Sequence, residues 1–267
     1  MSELDIDHYK SWIGRSHEAS DLVTEALVAK FRATFGERLA TVDGAPLGLH
    51  WCLSPEIAPP EGIAADGHPK RGGFLPPIPL PSRMWAGGEL HFHSPLAVGD
   101  TVRRVSTITD VSAKSGRSGQ LVFVTVTHEN FVGQRLAITD IQHLVYKDLT
   151  AAPPAPERTT AAPDALVADP VLLFRYSAIT FNGHRIHYDR DYAVNEEGYP
   201  RLVVHGPLQA TLLMNHAAGQ KGATPSVFRY RGQTPLFEGQ PFHLKSAGEE
   251  VWVEAVTGAK TMTASHS

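Results

Sequence analysis

Ser94-Pro95-Leu96-Ala97-Val98-Gly99-Asp100 and Thr234-Pro235-Leu236-Phe237-Glu238-Gly239-Gln240 are one phrase written twice. Each runs a small hydroxyl residue, Pro-Leu, two variable residues, Gly and a polar residue. Each leads into a long strand pattern, and the strands that follow come in a similar order. The spacing predicts two copies of one helix-plus-sheet unit in a single chain, an α+β architecture.

Around the first copy, Ser20 or Asp21 is expected to cap a helix carrying Leu22, Ala26, Leu27 and Phe31. Thr101 to Val111, Leu121 to His128 and Ala137 to Tyr146 read as strands, with Gly133-Gln134 turning the chain between the last two. From Leu53 to Ser82 the chain is rich in proline and glycine, and a loop of that length is a lid, a binding wall or a packing arm. Around the second copy, the apolar run Val171 to Ile179 is expected as a strand and Leu208 to Ala218 as a buried helix. Ser226 to Arg231, Pro241 to Ser246 and Val251 to Val256 read as strands. Proline and small residues between Thr150 and Pro170 mark a linker. The expected division is therefore 1–149, a linker over 150–170, and 171–267.

The chain has 267 residues, 42% hydrophobic and 19% charged, enough for a sizeable core. A net charge of −4 without like-charge blocks argues against nucleic acid as a partner. Cys52 is the single cysteine, so neither an internal disulfide nor a cysteine-based metal cage can form. The start, Met1-Ser2-Glu3-Leu4-Asp5, lacks the regions of a signal peptide, and no apolar run reaches the ~18 residues of a membrane span. A cytoplasmic protein without membrane contact is expected.

Thr180-Phe181-Asn182-Gly183-His184-Arg185-Ile186-His187-Tyr188-Asp189, with Val204-His205-Gly206-Pro207-Leu208 after it, is the densest chemistry in the chain. An imidazole ordinarily titrates near neutrality, so His187 is expected to move a proton at cellular pH. Asn182 can hold a water or a carbonyl but cannot act as a base. His184 reads either as a partner of His187 or as a packed core histidine, and Asp189 either orients an imidazole or, the favoured reading, caps the following turn. Gly206 opens a helix, where free N–H groups and close approach suit an oxyanion. His184 and His187 have i, i+3 spacing, yet no Cys and no Glu-x-x-His accompanies them, so no metal is expected. Lys114-Ser115-Gly116-Arg117-Ser118-Gly119 is a hairpin turn before it is a phosphate contact. The absence of Gly-x-Ser-x-Gly weakens a serine-hydrolase reading.

These residues resemble the MaoC-type hydratases and dehydratases, whose fold is the hot-dog. R-specific members carry Asp-x-Asn-Pro-x-His, then a His-Gly segment opening the central helix. Aligned on His187, the family aspartate falls on Asn182, its asparagine on His184, its proline on Arg185 and its oxyanion glycine on Gly206. Residues 174–189 and 204–208 are more closely similar to the branch holding mesaconyl-CoA and itaconyl-CoA hydratases, to which mitochondrial hydroxyacyl-thioester dehydratases are related. The stretch 72–88, the turn 114–119 and Pro235-Leu236-Phe237 share that likeness.

The resemblance implies a double hot-dog with a non-catalytic first half and a catalytic second half. It implies hydration of an α,β-unsaturated acyl-CoA, with CoA in a groove near the interface of the halves and no other cofactor. His187 would handle protons, Asn182 would orient water, and Gly206 would hold the thioester oxygen. Arg83, Arg185 and Arg229 are candidates for a distal carboxylate, with Trp85, His184 and His205 also lining the substrate. A fatty-acid-type dehydratase, a thioesterase and a non-catalytic acyl-CoA-binding module are the alternatives. A monomer or homodimer is expected.

Overall fold

The computed structural model describes residues 4–116, 119–148 and 164–267. The first half runs α1 (Ile6–Lys10), β1 (Ser16–Leu22), α2 (Glu25–Phe35), β2 (Ser82–Phe92), β3 (Thr101–Gly116), β4 (Gly119–Val132) and β5 (Arg135–Lys147). The second runs β6 (Leu166–Val167), α3 (Pro170–Thr180), α4 (Arg190–Asn195), α5 (Gly206–Lys221), β7 (Val227–Gly232), β8 (Pro241–Ala247), β9 (Glu250–Ala255) and β10 (Lys260–His266).

Among the described residues, ten strands form one antiparallel sheet in the order β1-β3-β4-β5-β2-β7-β10-β9-β8-β6. Read inward from either edge the order is the same: β6, β8, β9, β10 and β7 take the places of β1, β3, β4, β5 and β2. The halves meet where β2 pairs β7, with Gly88 opposite Tyr230 and Glu89 opposite Arg229.

The twice-written phrase performs one job twice. The Leu96 carbonyl accepts from the Ala45 N–H (2.7 Å), and the Leu236 carbonyl from the Val204 N–H (2.8 Å). Gly99 donates to the Val23 carbonyl and Gly239 to the Ala168 carbonyl, both at 2.9 Å. Within each turn the fourth residue's N–H position is matched by a side chain: Asp100 Oδ2 accepts from Ala97 N and Gln240 Oε1 from Phe237 N. The duplicated hydrogen bonds fasten each unit's strand entrance to the residue before its outer helix.

Among the described residues, only the second half has a long central helix. Leu208, Ala210, Leu212, Leu213, Met214, Ala217 and Ala218 of α5 are buried together with Gln209, Thr211 and Asn215, so the helix is buried around its circumference and the sheet wraps it. Its buried Asn215 reaches across the halves, donating to the Leu47 carbonyl and accepting from the Ala40 N–H. The corresponding stretch of the first half holds only a 3₁₀ turn, Leu49–Cys52.

Several expectations need correction. Residues 171–179 are helix, not strand: Asp169 caps α3 by accepting from Leu172 N at 2.7 Å, and Pro170 sits in its first turn. Leu173, Tyr176 and Ser177 are buried on one face while Val171 and Phe174 are exposed, so the unbroken apolar run hid a helical period. The cap of α2 is Thr24, whose hydroxyl accepts from Leu27 N; Ser20, Asp21 and Leu22 lie in β1. The linker expected over 150–170 falls outside the described residues up to 163, and its end is structured as β6 and the start of α3. Arg117 and Ser118 of the expected turn also lie outside the described residues.

The proline-rich stretch has two functions. Ile78 and Leu80 are buried against Ile108, Val124 and Tyr146, which makes that part a packing arm. The stretch before it lies across the second half's motif.

Candidate active site

The motif hangs between the end of α3 and α4. Phe181 adopts a left-handed conformation (φ 53°) that ends α3. Asn182 Oδ1 then accepts from the His184 N–H at 2.9 Å, closing an Asx turn. Asp189 caps α4 through Tyr192 N, as expected. A single 3₁₀ turn, Arg185–His187, remains between these anchors and aims His187 inward.

His187 is buried, and its Nδ1–H donates to the Val203 carbonyl at 2.7 Å. That bond sets the tautomer and leaves Nε2 as the nitrogen that can accept a proton. Nε2 makes no hydrogen bond among the described residues. Burial holds the His187 pKa well below the ordinary histidine value, and His205 and His184 add to the effect. The imidazole is therefore neutral at physiological pH.

His205 stacks on His187 at 3.6 Å between ring centres. It is fully buried, with Nε2 against the Ser177 hydroxyl at 2.8 Å. This corrects its expected place in the substrate lining: a ring with no exposed surface backs His187. It is also the residue before Gly206, so the stack ties His187 directly to the start of α5. The Gly206 N–H has no acceptor among the described residues, as the first turn of a helix requires.

Trp85 covers the Gly206 side. A Cβ placed on Gly206 would lie 2.8 Å from Trp85 Cε3, so only glycine lets indole and helix meet at this spacing. Trp85 stacks on Tyr230 at 4.5 Å and meets Trp51 edge-on at 5.6 Å. Its Nε1 donates to Gln142, Gln142 donates to Asp140 Oδ2, and Trp51 donates to the same oxygen. Burial pushes Asp140 up to about 6. Both indoles are thus anchored to one buried carboxyl group. A cavity of about 460 Å³ lies between the first half (Leu47, His50, Phe92, Ile138) and the loop after α5 (Ala223 to Ser226), and touches none of the motif residues.

The first half reaches the motif from above. Gly67 and Gly183 pack backbone to backbone, and a Cβ on either would collide with the other's carbonyl oxygen. Arg185 donates from its N–H to the Asp66 carbonyl and from Nη1 to the Ala65 carbonyl. His68 is thereby seated 4.1 Å from His184 between ring centres, and His184 stands edge-on to His187 at 5.3 Å. His68 Nδ1 pairs with Asp66 Oδ2 at 3.0 Å, and His184 Nε2 with Glu197 at 3.3 Å. One ligand-type atom from each of Asp66, His68 and His184 lies within 4.8 Å of the others, although the first two already bond each other.

The three candidate arginines separate cleanly. Arg185 is held by Asp189 and lies over the Tyr192 ring. Arg229 makes a bidentate pair with Glu89 on the outer sheet face. Both therefore already hold a carboxylate of the chain itself. Arg83 pairs with no carboxylate among the described residues and stands near His68 and Tyr146. Asn182 makes no hydrogen bond to His187, so its visible work is shaping the turn rather than holding a water. His184 is both a buried histidine and a neighbour of His187, so both readings of it hold.

Asp66, His68, Trp51, Asp140 and Gln142 had no predicted role. Gly67-His68-Pro69 marks a tight loop in the sequence, but nothing local tells that it lands on residues 183–185.

Comparison with known proteins follows this geometry. The model of the hydroxyacyl-thioester dehydratase type 2 family matches residues 48–238. The chain is 43% identical to the mesaconyl-C(4)-CoA hydratase of Chloroflexus aurantiacus, over 96% of this chain and 94% of that protein. It is 26% identical to the mitochondrial hydroxyacyl-thioester dehydratase type 2 of Schizosaccharomyces pombe, over 89% and 92% respectively. In structure it is similar to HtdX of Mycobacterium tuberculosis, with a TM-score of 0.68 at 18% identity over 94% of this chain and 99% of that one. A second Mycobacterium tuberculosis protein, described as a double hot-dog, aligns with a TM-score of 0.53 at 14% identity over 95% of each chain. The architecture is the double hot-dog, and the chain belongs to the hydroxyacyl-thioester dehydratase type 2 family of MaoC-type hydratases and dehydratases, which are lyases.

Proposed function

We propose that the protein adds water reversibly across the double bond of an α,β-unsaturated acyl-CoA, with a dicarboxylic thioester such as mesaconyl-CoA or itaconyl-CoA as substrate. The observation that carries this reading is the neutral His187, its tautomer set by Val203 and its ring stacked on the residue that opens α5. The thioester carbonyl sits at the Gly206 N–H. Water gives a proton to His187 Nε2 while its oxygen bonds to the β-carbon, and the π electrons move onto the thioester as an enolate. The imidazolium then returns that proton to the α-carbon. An oxyanion donor supplies about 3 kcal/mol of barrier lowering and a positioned acid–base group about 10²- to 10⁴-fold. Water addition transfers no electrons between molecules, so CoA enters only as part of the substrate.

Arg83 supports the dicarboxylic preference. It is the candidate arginine left without a carboxylate, and a guanidinium binds such a group bidentately. The relative acting on mesaconyl-C(4)-CoA shares 43% of the sequence, which favours the same class of substrate. The second reading, a 3-hydroxyacyl-thioester dehydratase, is the same chemistry run backwards and is favoured by the weaker relative from yeast. His187→Ala tests the proposal. Hydration is expected to fall by about 10²-fold or more with the unfolding midpoint largely kept. Unchanged hydration would remove His187 from the chemistry, and acyl-CoA affinity without turnover in the wild type would make the protein a binding module.

A further inference from the structure

Beside His187 its own turn offers only Asn182 and His184, and His184 Nε2 already meets Glu197 at 3.3 Å. Asn182 is an amide, and its oxygen is occupied by the His184 N–H. The polar group nearest to filling this gap comes from the other half of the molecule. Asp66 and His68 ride on the proline-rich loop, and three contacts fix that loop to the motif: the Gly67–Gly183 backbone contact and the two Arg185 bonds to Ala65 and Asp66. So many tethers on one short loop segment specify where His68 stands.

Asp66 holds His68 twice, accepting from its backbone N–H through Oδ1 and from its ring Nδ1 through Oδ2, each at 3.0 Å. A carboxylate on Nδ1 selects the tautomer in which Nε2 is an acceptor. No hydrogen bond among the described residues occupies that Nε2. His68 is also the most open imidazole of the group, with 19% of its side chain exposed against 9% for His184. Together His68, His184 and His187 form a continuous wall of rings.

We infer that the site is composite: His68, oriented by Asp66, is a further catalytic residue that holds the attacking water together with His187. The inference rests on the hydratase reading above. The water donates one O–H to His187 Nε2 and the other to His68 Nε2, leaving an oxygen lone pair for the β-carbon. The proton passes to His187 and on to the α-carbon, and His68 neither gains nor loses one. The first half therefore supplies part of the chemistry, contrary to the expectation that it is non-catalytic.

The test uses the full chain and three variants: His68→Ala, His68→Gln and Asp66→Asn. Initial hydration rates on the best enoyl-CoA are read with unfolding midpoints. His68→Ala is expected to lose about 10²-fold in kcat with KM changed by no more than about threefold. His68→Gln keeps an acceptor oxygen and recovers part of the rate. Asp66→Asn can donate to Nδ1, which reverses the tautomer and costs about tenfold in kcat. A His68→Ala enzyme within about threefold of wild type overturns the inference, as does a Gln variant no better than Ala. Activity lost on chelation and restored by zinc overturns it too, assigning Asp66, His68 and His184 to a metal. An inactive wild type sinks the hydratase reading and this inference together, whereas an active wild type with unaffected variants sinks this inference alone.

Discussion

Gly206→Ala probes the tightest contact of the site. The new methyl carbon would lie 2.8 Å from Trp85 Cε3 and 3.4 Å from Cζ3. Ordinary carbon contact is about 3.5 Å, so the indole or the helix must move by about 0.7 Å. The indole has little room: it stacks on Tyr230 and its Nε1 is tied through Gln142 to Asp140. Overpacking of this kind costs about 1–3 kcal/mol. Alanine returns up to about 1 kcal/mol over glycine inside a helix, and less in its first turn. The clash wins, with a net loss of about 1–2 kcal/mol and a fall in unfolding midpoint of about 2–6 °C. Because the displaced ring and N–H flank the position proposed for the thioester, activity is expected to fall by about 10- to 100-fold, as sub-ångström misplacement does elsewhere. Trp85→Phe in the same chain relieves the collision, so the two substitutions couple by at least about 0.5 kcal/mol. Melting curves and hydration rates for both single variants and the double close the cycle. A Gly206→Ala protein with wild-type midpoint and rate, or strict additivity with Trp85→Phe, refutes the packing argument.

Two further outcomes follow from the same geometry. Arg83→Ala should raise KM for an enoyl-CoA with a free carboxylate by about 10- to 100-fold, the range of a charged hydrogen bond, and leave crotonyl-CoA nearly unchanged. Equal effects on both substrates would place the distal carboxylate elsewhere. In acid, the buried His50 and His205, each held down to about 3, stay neutral in the fold but protonate near 6.5 when unfolded. Their stabilisation is present above about 6.5 and is lost as pH falls below it, while Asp140, raised to about 6, acts in the opposite sense between about 4 and 6. The histidines outnumber it, so the unfolding midpoint should drop from pH 7 to pH 5; a higher midpoint at pH 5 contradicts these burial assignments.

The parts legible in the sequence were those with local causes. The phrase at 94–100 and 234–240 encodes a turn with its own side-chain bond, so duplication could be read from spacing. The strands β4 and β5 showed alternation, β3 and β7 to β9 read as extended stretches, and α5 showed an apolar run. The helix α3 was misread because Val171 and Phe174 are apolar yet exposed, leaving Asp169-Pro170 as the sole helix signal. The helix start at Gly206 was legible, since Gly206-Pro207 marks it locally, whereas the neutrality of His187 comes from burial in the folded chain. The fate of Arg229 was not legible, because it depends on a carboxylate presented by the folded chain, whereas the partner of Arg185 is Asp189, four residues on. Glu89 faces Arg229 only through the β2–β7 pairing that joins the halves. Asp66 and His68 were invisible for the same reason: more than a hundred residues separate them from the motif on which Gly67 lands.

The most direct test is incubation of the protein with mesaconyl-CoA, itaconyl-CoA, crotonyl-CoA and a long-chain enoyl-CoA, following conjugated thioester absorbance and free thiol together. Loss of absorbance without thiol release, fastest on a thioester bearing a free carboxylate, is the predicted result. Thiol release would make the protein a thioesterase, and silence in both channels would contradict hydration of these substrates.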